Sequence, residues 1–130
     1  RHFSGRWLSR NKTLWASFLA ESPAQKKLYF GGDGGYDGRF KRIRERFPDI
    51  DLAILENGQY NKNWSKIHLM PTELEQAARD IHAKRYMTVH HSKYKISTHA
   101  WDDPLKNEQK LRDDSLNVIS PQIGEVVKLK

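Results

Sequence analysis

The sequence contains no cysteine among its 130 residues. Disulfide frameworks and thiolate metal sites are therefore excluded, and any metal ion must be held by histidine, aspartate or glutamate. Long hydrophobic runs are also absent, since no apolar stretch approaches the roughly eighteen residues of a membrane-spanning helix. No signal-peptide pattern opens the chain. These absences together predict a cytoplasmic protein without a transmembrane segment.

Acidic residues are outnumbered by basic ones, 16 against 23, which gives a formal net charge of +7. This excess favours anionic partners such as a phosphorylated small molecule or a lipid headgroup. Nucleic acid is an unlikely partner, because the basic residues do not alternate with aromatic side chains as a single-strand-binding groove requires. The densest basic cluster is interpreted as a solvated helix face formed by Lys41, Arg42, Arg44 and Arg46.

Short apolar runs and helical patterns alternate along the chain, which predicts a layered α/β domain. The first two predicted strands are close enough in sequence to form a hairpin. After Pro71, Thr72 and Glu75 indicate a capping box at the start of a helix. The predicted strands span residues 13–20, 27–30, 51–56, 85–89, 117–119 and 125–129, and the predicted helices span 38–47, the segment after Pro71, and 104–115.

The predicted core combines aromatic and aliphatic residues from these elements. In the first two helices the apolar residues recur at helical spacing, and the strand at 51–56 is a continuous apolar run typical of burial on both faces of a sheet. The residues expected in the core are Phe30, Phe40, Ile43, Leu52, Ile54, Leu74 and Val89, with Ala77, Ala78 and Ile81 completing the helix stripe.

A single carboxylate, Asp33, lies between two pairs of glycines in the segment GGDGGY. An Asp-Gly pair is a strong hairpin signal, but this one separates a strand from an amphipathic helix, so Asp33 is expected at the ligand-binding edge of the sheet. His90 follows another predicted strand directly, and His2 lies near the start of the chain. Zinc, manganese and iron use such ligands. Solvated or turn-forming roles remain open on spacing alone.

Six segments in order make the sequence similar to one known family. The segments are HFSGR (2–6), GGDGGY (31–36), LENGQYN (55–61), IHLMP (67–71), VHHSKYKIS (89–97) and HAWDDP (99–104). Together they resemble the C-terminal half of metallo-β-lactamase-fold hydrolases, in the branch of ascorbate-6-phosphate lactonase-like proteins and N-acyl-phosphatidylethanolamine phospholipase D. The resemblance implies that residues 1–130 form half of an αββα sandwich, a mixed sheet with helices on one face.

The resemblance also implies a dinuclear centre with two divalent ions, zinc or manganese. In this family a bridging hydroxide attacks the substrate, here a phosphodiester, lactone or related bond. His2 matches a ligand of the first metal, Asp33 the carboxylate that bridges both metals, and His90 a ligand of the second. His68 matches a histidine that contacts the substrate, so that Asp33 and His68 are the expected catalytic residues. The alternative for His68 is a loop histidine that packs on the following helix.

Other residues in the matching segments receive structural roles. His91 and Ser92 replace the tryptophan and glycine that usually follow the ligand histidine, which changes the expected pocket wall. His99 and Trp101 match the family pattern but are expected to be structural. His82 is expected at the surface or partly buried, and Arg6 is expected to close the first turn, with an anion contact as the alternative.

The family's His-x-His-x-Asp-His motif, which supplies four of the metal ligands, does not occur in the chain. The three remaining ligands would be divided between two metals, fewer than a catalytic zinc site normally needs. We therefore expect the chain to be a fragment of a parent hydrolase and to be inactive alone. The sheet face that the N-terminal half covers would be exposed, which predicts a homodimer or a complex with that half. The alternative function is a non-catalytic basic domain that binds anions or other proteins.

Overall fold

Two sheets lie in the part of the chain described by the computed structural model, residues 5–6, 8–10 and 15–129. A small antiparallel pair comes first, formed by β1 (Gly5–Arg6) and β2 (Ser9–Arg10). The main sheet has five strands in the order of the sequence, with β3 antiparallel to β4 and the other neighbours parallel. These strands are β3 (Phe18–Glu21), β4 (Lys27–Phe30), β5 (Leu52–Glu56), β6 (Tyr86–Val89) and β7 (Val118–Ile119).

Three helices connect the parallel strands: α1 (Arg39–Arg46), α2 (Pro71–Ile81) and α3 (Asp103–Asp113). Each joins two strands that are neighbours in the sheet. Because such crossovers are right-handed, a sheet whose strands follow in sequence order carries all its helices on one face. The prediction of a mixed α/β sheet with helices on one face is confirmed. None of the helices in the described ranges is long and apolar enough to cross a membrane.

The core lies between this sheet face and the helices. Tyr29, Ala53 and Tyr86 are register partners across β4, β5 and β6, and all three are buried. Phe40 of α1 packs edge-to-face on Tyr29, with ring centroids 6.5 Å apart. The stripe predicted for α2 is confirmed, since its four apolar residues are all buried: Leu74, Ala77, Ala78 and Ile81.

The opposite face of the sheet is apolar and is not covered by any of the described elements. One row of register partners crosses it from β3 to β7. Phe18 is 67% exposed and Phe30 is 39% exposed, so the prediction that Phe30 belongs to the core was wrong. Burial on this side requires a second layer. We call the row the open sheet face; its residues are Phe18, Phe30, Ile54, Met87 and Ile119.

Several other local predictions differ from the structure. Ile43, Ile54 and Val89 are only partly buried, whereas Phe40 and Leu52 are buried as expected. The strand predicted at 13–20 lies at Phe18–Glu21; residues 15–17 are not in a strand, and residues 13 and 14 fall outside the described ranges. The segment 125–129, also predicted as a strand, has no partner strand among the described residues and is irregular.

The start of α2 also differs from the predicted capping box. The backbone N–H of Met70 donates to Glu73 Oε2 at 2.9 Å, so Met70 is the residue that precedes the helix. Pro71 occupies the first helical position, which suits its fixed φ and missing N–H. Thr72 and Glu75 therefore lie inside the helix, and the capping pair is Met70 with Glu73.

A buried carboxylate, Glu108, ties α3 to the end of the sheet. It accepts hydrogen bonds from Thr88 Oγ1, from Ser120 Oγ at 2.7 Å and from Arg112 at 3.3 Å. His91 Nε2 lies 3.6 Å from Glu108 Oε1. Burial by itself raises the pKa of Glu108, but the nearby His91 and the hydrogen bonds from Ser120 and Thr88 outweigh it and lower the pKa from 4.5 to about 2.

We expect Glu108 to make the fold sensitive to acid. Because the folded-state pKa is depressed, its contribution is present above the unfolded-state value of 4.5 and is lost as the pH falls towards about 2. At about 1.4 kcal/mol per pKa unit, this contribution is about 3 kcal/mol. Urea unfolding at a series of pH values should show a shallower acid-induced loss in Glu108→Gln. The exposed Glu45→Gln is the control, and an unchanged pH dependence in Glu108→Gln would contradict the assignment.

Candidate metal centre

Four side chains that can bind a metal converge at one edge of the main sheet. Asp33 follows β4, Glu56 ends β5 and His90 follows β6, and the carboxyl ends of these parallel strands share an edge. His68 reaches the same place from the long loop between β5 and α2. One candidate ligand atom from each of the four lies within 4.8 Å of the others. The structure thus brings together the predicted Asp33, His68 and His90, and adds Glu56.

Two of the glycines around Asp33 are required by the local geometry. Gly32 has a φ of 63°, a left-handed conformation that is strained for other residues. At Gly35 a β-carbon would lie 2.5 Å from the carbonyl oxygen of Ser65, so only glycine lets the two loops approach. The first glycine bends the chain before Asp33, and the second admits the loop that carries His68.

Glu56 is a buried carboxylate whose hydrogen bonds link the loops of the site. Its Oε2 accepts a hydrogen bond from His68 Nδ1 at 2.6 Å. Its Oε1 accepts from the backbone N–H groups of Gly34 at 2.8 Å and Leu69 at 3.0 Å. Since both oxygens are already engaged, Glu56 is suited to orient His68 rather than to bind a metal ion. A proton held on Nδ1 makes Nε2 the lone-pair nitrogen of His68.

His68 lies inside the site and not merely against α2. Its ring stacks on the ring of His90 with centroids 5.2 Å apart and an interplanar angle of 30°. Burial lowers the pKa of His68, but the hydrogen bond and charge of Glu56, together with the charge of Asp33, outweigh burial and raise it. The alternative of a loop histidine that only packs on the helix does not describe this arrangement.

The residues present fit a divalent cation. His90 Nε2 is buried and has no hydrogen-bond partner within the described ranges. Asp33 Oδ2 is 3.9 Å from this nitrogen, too far for a hydrogen bond. Buried polar atoms are normally paired, and an imidazole nitrogen left without a partner beside a carboxylate is typical of a metal-binding pair. His90 also has a φ of 72°, a conformation that occurs preferentially at functional sites.

The remaining predicted site residues lie elsewhere or cannot be placed. His2 lies outside the described residues, and so does the side chain of Arg6. His91 lies away from this group: its Nε2 is 3.0 Å from Thr88 Oγ1 of β6 and 3.6 Å from Glu108 Oε1 of α3. His82 directly follows the last residue of α2, has a left-handed backbone conformation and is exposed.

His99 has the structural role that its sequence context indicated. Its Nε2 accepts a hydrogen bond from the backbone N–H of Gln59 at 3.0 Å, and its ring stacks on Tyr60 at 4.4 Å. Trp101, which was also expected to be structural, is 52% exposed.

Two polar residues near the centre, Glu56 and Gln59, were not identified from the sequence. Glu56 ends an otherwise apolar buried strand, and a charged residue in that position is seldom buried without a partner. This was the available signal for Glu56. Gln59 lies in a loop without periodicity, and the sequence offered no signal for it.

The half-sandwich fold and its edge of carboxylate and imidazole groups define a metallo-β-lactamase-fold hydrolase. A family model, the beta-lactamase superfamily domain, matches residues 1–91, and the chain belongs to this family. The chain is 54% identical over 90 residues to the outer membrane protein RomA of Klebsiella pneumoniae, covering 69% of this chain and 67% of RomA.

A second relative is the mitochondrial N-acyl-phosphatidylethanolamine-hydrolyzing phospholipase D of Saccharomyces cerevisiae, 34% identical over 117 residues, or 86% of this chain. The match spans only 25% of that protein. Among solved structures, Igni18, a metallo hydrolase from Ignicoccus hospitalis, superposes with a TM-score of 0.61 at 19% identity, over 78% of this chain and 40% of Igni18. YhfI from Bacillus subtilis gives a TM-score of 0.53 at 17% identity, over 78% and 44%. These structures establish the fold.

Proposed function

We propose that the protein forms part of a metal-dependent hydrolase that cleaves a phosphodiester, lactone or related bond in an anionic substrate. The observation that carries this proposal is the convergence of Asp33, Glu56, His68 and His90 at one edge of the sheet. The name of the yeast relative supports a phosphodiester as the bond and a phospholipid as the substrate class. The net charge of +7 suits an anionic substrate.

Asp33 and His90 are the residues that would hold the metal. We propose two ions, zinc or manganese, which Asp33 and His90 would hold together with His2, a residue outside the described ranges. When bound, such ions polarise the scissile bond and lower the pKa of a bound water to about 7. Asp33 provides the negative charge that retains the ions, and the strand ends keep Asp33 and His90 in place.

His68 would contact the substrate through Nε2. The 2.6 Å hydrogen bond to Glu56 holds the ring in one tautomer and one orientation. Because its pKa is raised, the ring can also carry a proton on Nε2 and donate a hydrogen bond to a phosphoryl or carbonyl oxygen, which would hold that oxygen at the reacting centre. Glu56 acts through His68 and is a positioning residue.

Metal removal tests this function directly. We expect the complete protein to hydrolyse bis(p-nitrophenyl) phosphate or a simple lactone, to lose turnover when dialysed against a chelator, and to recover with zinc or manganese. The same preparations should be assayed for bound metal by mass spectrometry. Turnover that persists in metal-free protein would contradict the proposal.

A non-catalytic anion-binding domain is the second candidate, and the exposed basic face of α1 favours it. This face carries Lys41, Arg42, Arg44 and Arg46. Only Lys41 of these four has an ion pair within the described part of the chain, a long one of 3.9 Å to Asp80. This candidate predicts salt-sensitive anion binding that does not depend on metal.

We propose that the other half of the αββα sandwich covers the open sheet face. The RomA and yeast relatives contain chain beyond the matched region, which can provide such a layer. We expect the 130-residue chain alone to self-associate in light scattering, and Phe18→Glu to shift it towards monomer. Ile123→Glu, at an exposed position away from this row, is the matched control. A monodisperse monomer of the unmodified chain would contradict this expectation.

A further inference from the structure

A cavity of about 350 Å³ lies directly beside the candidate metal centre. Its wall is formed by the loop that follows β6 and by one residue of the loop that follows β5. His90 belongs to both the cavity wall and the group of candidate ligands. A molecule in the cavity would therefore be next to the reacting centre. The lining residues are Gln59, His90, His91, Lys93, Tyr94 and Ile96.

Gln59 fixes the main chain of this wall. It is 4% exposed, its Nε2 donates to the carbonyl oxygen of Tyr94 at 2.7 Å, and its Oε1 accepts from the N–H of Ile96 at 2.8 Å. Weaker bonds of 3.4 Å and 3.3 Å reach the His90 carbonyl and the Ser97 N–H. One buried amide thus forms hydrogen bonds to four residues of the loop. These bonds fix the backbone of the cavity wall in one conformation.

The side chains displayed by this fixed loop are apolar. Tyr94 and Ile96 are each 72% exposed, so the loop presents them to the cavity and solvent and gains little burial from them. Large apolar side chains held at the rim of a pocket are typical of ligand contacts. Beside them, Lys93 Nζ lies 5.6 Å from the centroid of the Tyr94 ring and adds a cation.

We propose that this cavity binds the apolar organic group next to the scissile bond of an anionic ester, an inference that rests on the proposed hydrolase function. The volume of about 350 Å³ is at the small end of the range of about 300–1,000 Å³ for small-molecule pockets. It suits an aryl or short alkyl group. Tyr94 and Ile96 contact that group, and Lys93 attracts the negative charge of the phosphoester.

Binding of two small probes tests this subsite. Phenyl phosphate and methyl phosphate carry the same charged group and differ in the apolar group, so the ratio of their Kd values measures the cavity. In the complete, metal-loaded protein, isothermal titration calorimetry should show phenyl phosphate binding about tenfold more tightly or better. Tyr94→Ala and Ile96→Ala should each reduce this preference, and the double variant should abolish it with the Kd of methyl phosphate unchanged.

Ile123→Ala is the matched control, because it removes the same atoms as Ile96→Ala from an exposed position outside the cavity. The unchanged Kd of methyl phosphate reports an intact site in every variant. Equal affinities for the two probes in the unmodified protein, or a preference that survives in the double variant, would overturn the subsite.

Failure of the subsite can be distinguished from failure of the hydrolase function. If turnover depends on metal but the protein shows no preference for the aryl probe, only the subsite is contradicted and the hydrolase function stands. The opposite result is an aryl preference that depends on Tyr94 and Ile96 in a protein whose turnover does not require metal. It would support the subsite and contradict the proposed metal-dependent hydrolysis.

Discussion

Asp33→Ala should abolish metal binding and turnover in the complete protein. Asp33 lies between two required glycines after β4 and is 3.9 Å from His90 Nε2, a buried nitrogen with no hydrogen-bond partner among the described residues. Loss of a residue that only orients a metal ligand typically costs about 10–100-fold, so loss of a proposed ligand itself should reduce kcat/KM by more than about 100-fold. Metal content by mass spectrometry and kcat/KM should be measured on the same sample.

Asp113→Asn is the matched control for this substitution. Asp113 is exposed on α3 and accepts a hydrogen bond from Gln109, and it is not part of the group at the sheet edge. The control should retain metal and activity. If Asp33→Ala instead behaves like the control, the anion-binding function explains the protein better than the hydrolase function.

Glu56→Gln should have the second largest effect, on activity and stability together. The amide keeps the size of the side chain but cannot accept from His68, Gly34 and Leu69 at once. A buried donor left without a partner costs about 1–3 kcal/mol, and misorientation of His68 should reduce kcat/KM about 10–100-fold. Chemical denaturation and steady-state kinetics measure the two effects.

The tautomer of His68 separates a positioning role from a purely structural one. In the unmodified protein, nitrogen NMR should show the proton on Nδ1, and in Glu56→Gln this preference should weaken. Glu75→Gln is a suitable control, because Glu75 pairs with Arg79 and Lys110 at the surface of α2. A His68 tautomer and kcat/KM that do not change in Glu56→Gln would show that Glu56 does not position the histidine.

The regular elements were predictable because local patterns encode them. The apolar run that became Leu52–Glu56 is a buried central strand, and the periodic segments became helices Arg39–Arg46 and Pro71–Ile81. Predictions were less successful where burial depends on a second layer. Phe30 has the composition of a core residue, but it lies on the side of the sheet without helices and is 39% exposed.

The sequence was sufficient to predict the types of residue in the site, but it did not predict the hydrogen bonds that join them. Asp33 and His90 follow strands directly, so the parallel order of those strands was enough to bring them to one edge. Glu56 could not be recognised as the centre of the network, because its partners Gly34 and His68 are 22 and 12 residues away in opposite directions along the chain. Which groups meet such a carboxylate depends on how two irregular loops pack.

The sequence by itself determined the order of strands and helices, the glycine-bounded bend at Asp33 and the absence of thiolate ligands, since these follow from backbone conformation, hydrophobic periodicity and residue chemistry. Only the tertiary structure decided that Glu56 holds His68, that Gln59 builds a cavity beside His90, and that one sheet face stays open. These features are contacts between segments distant in sequence, and their formation depends on the packing of the whole sheet and its loops.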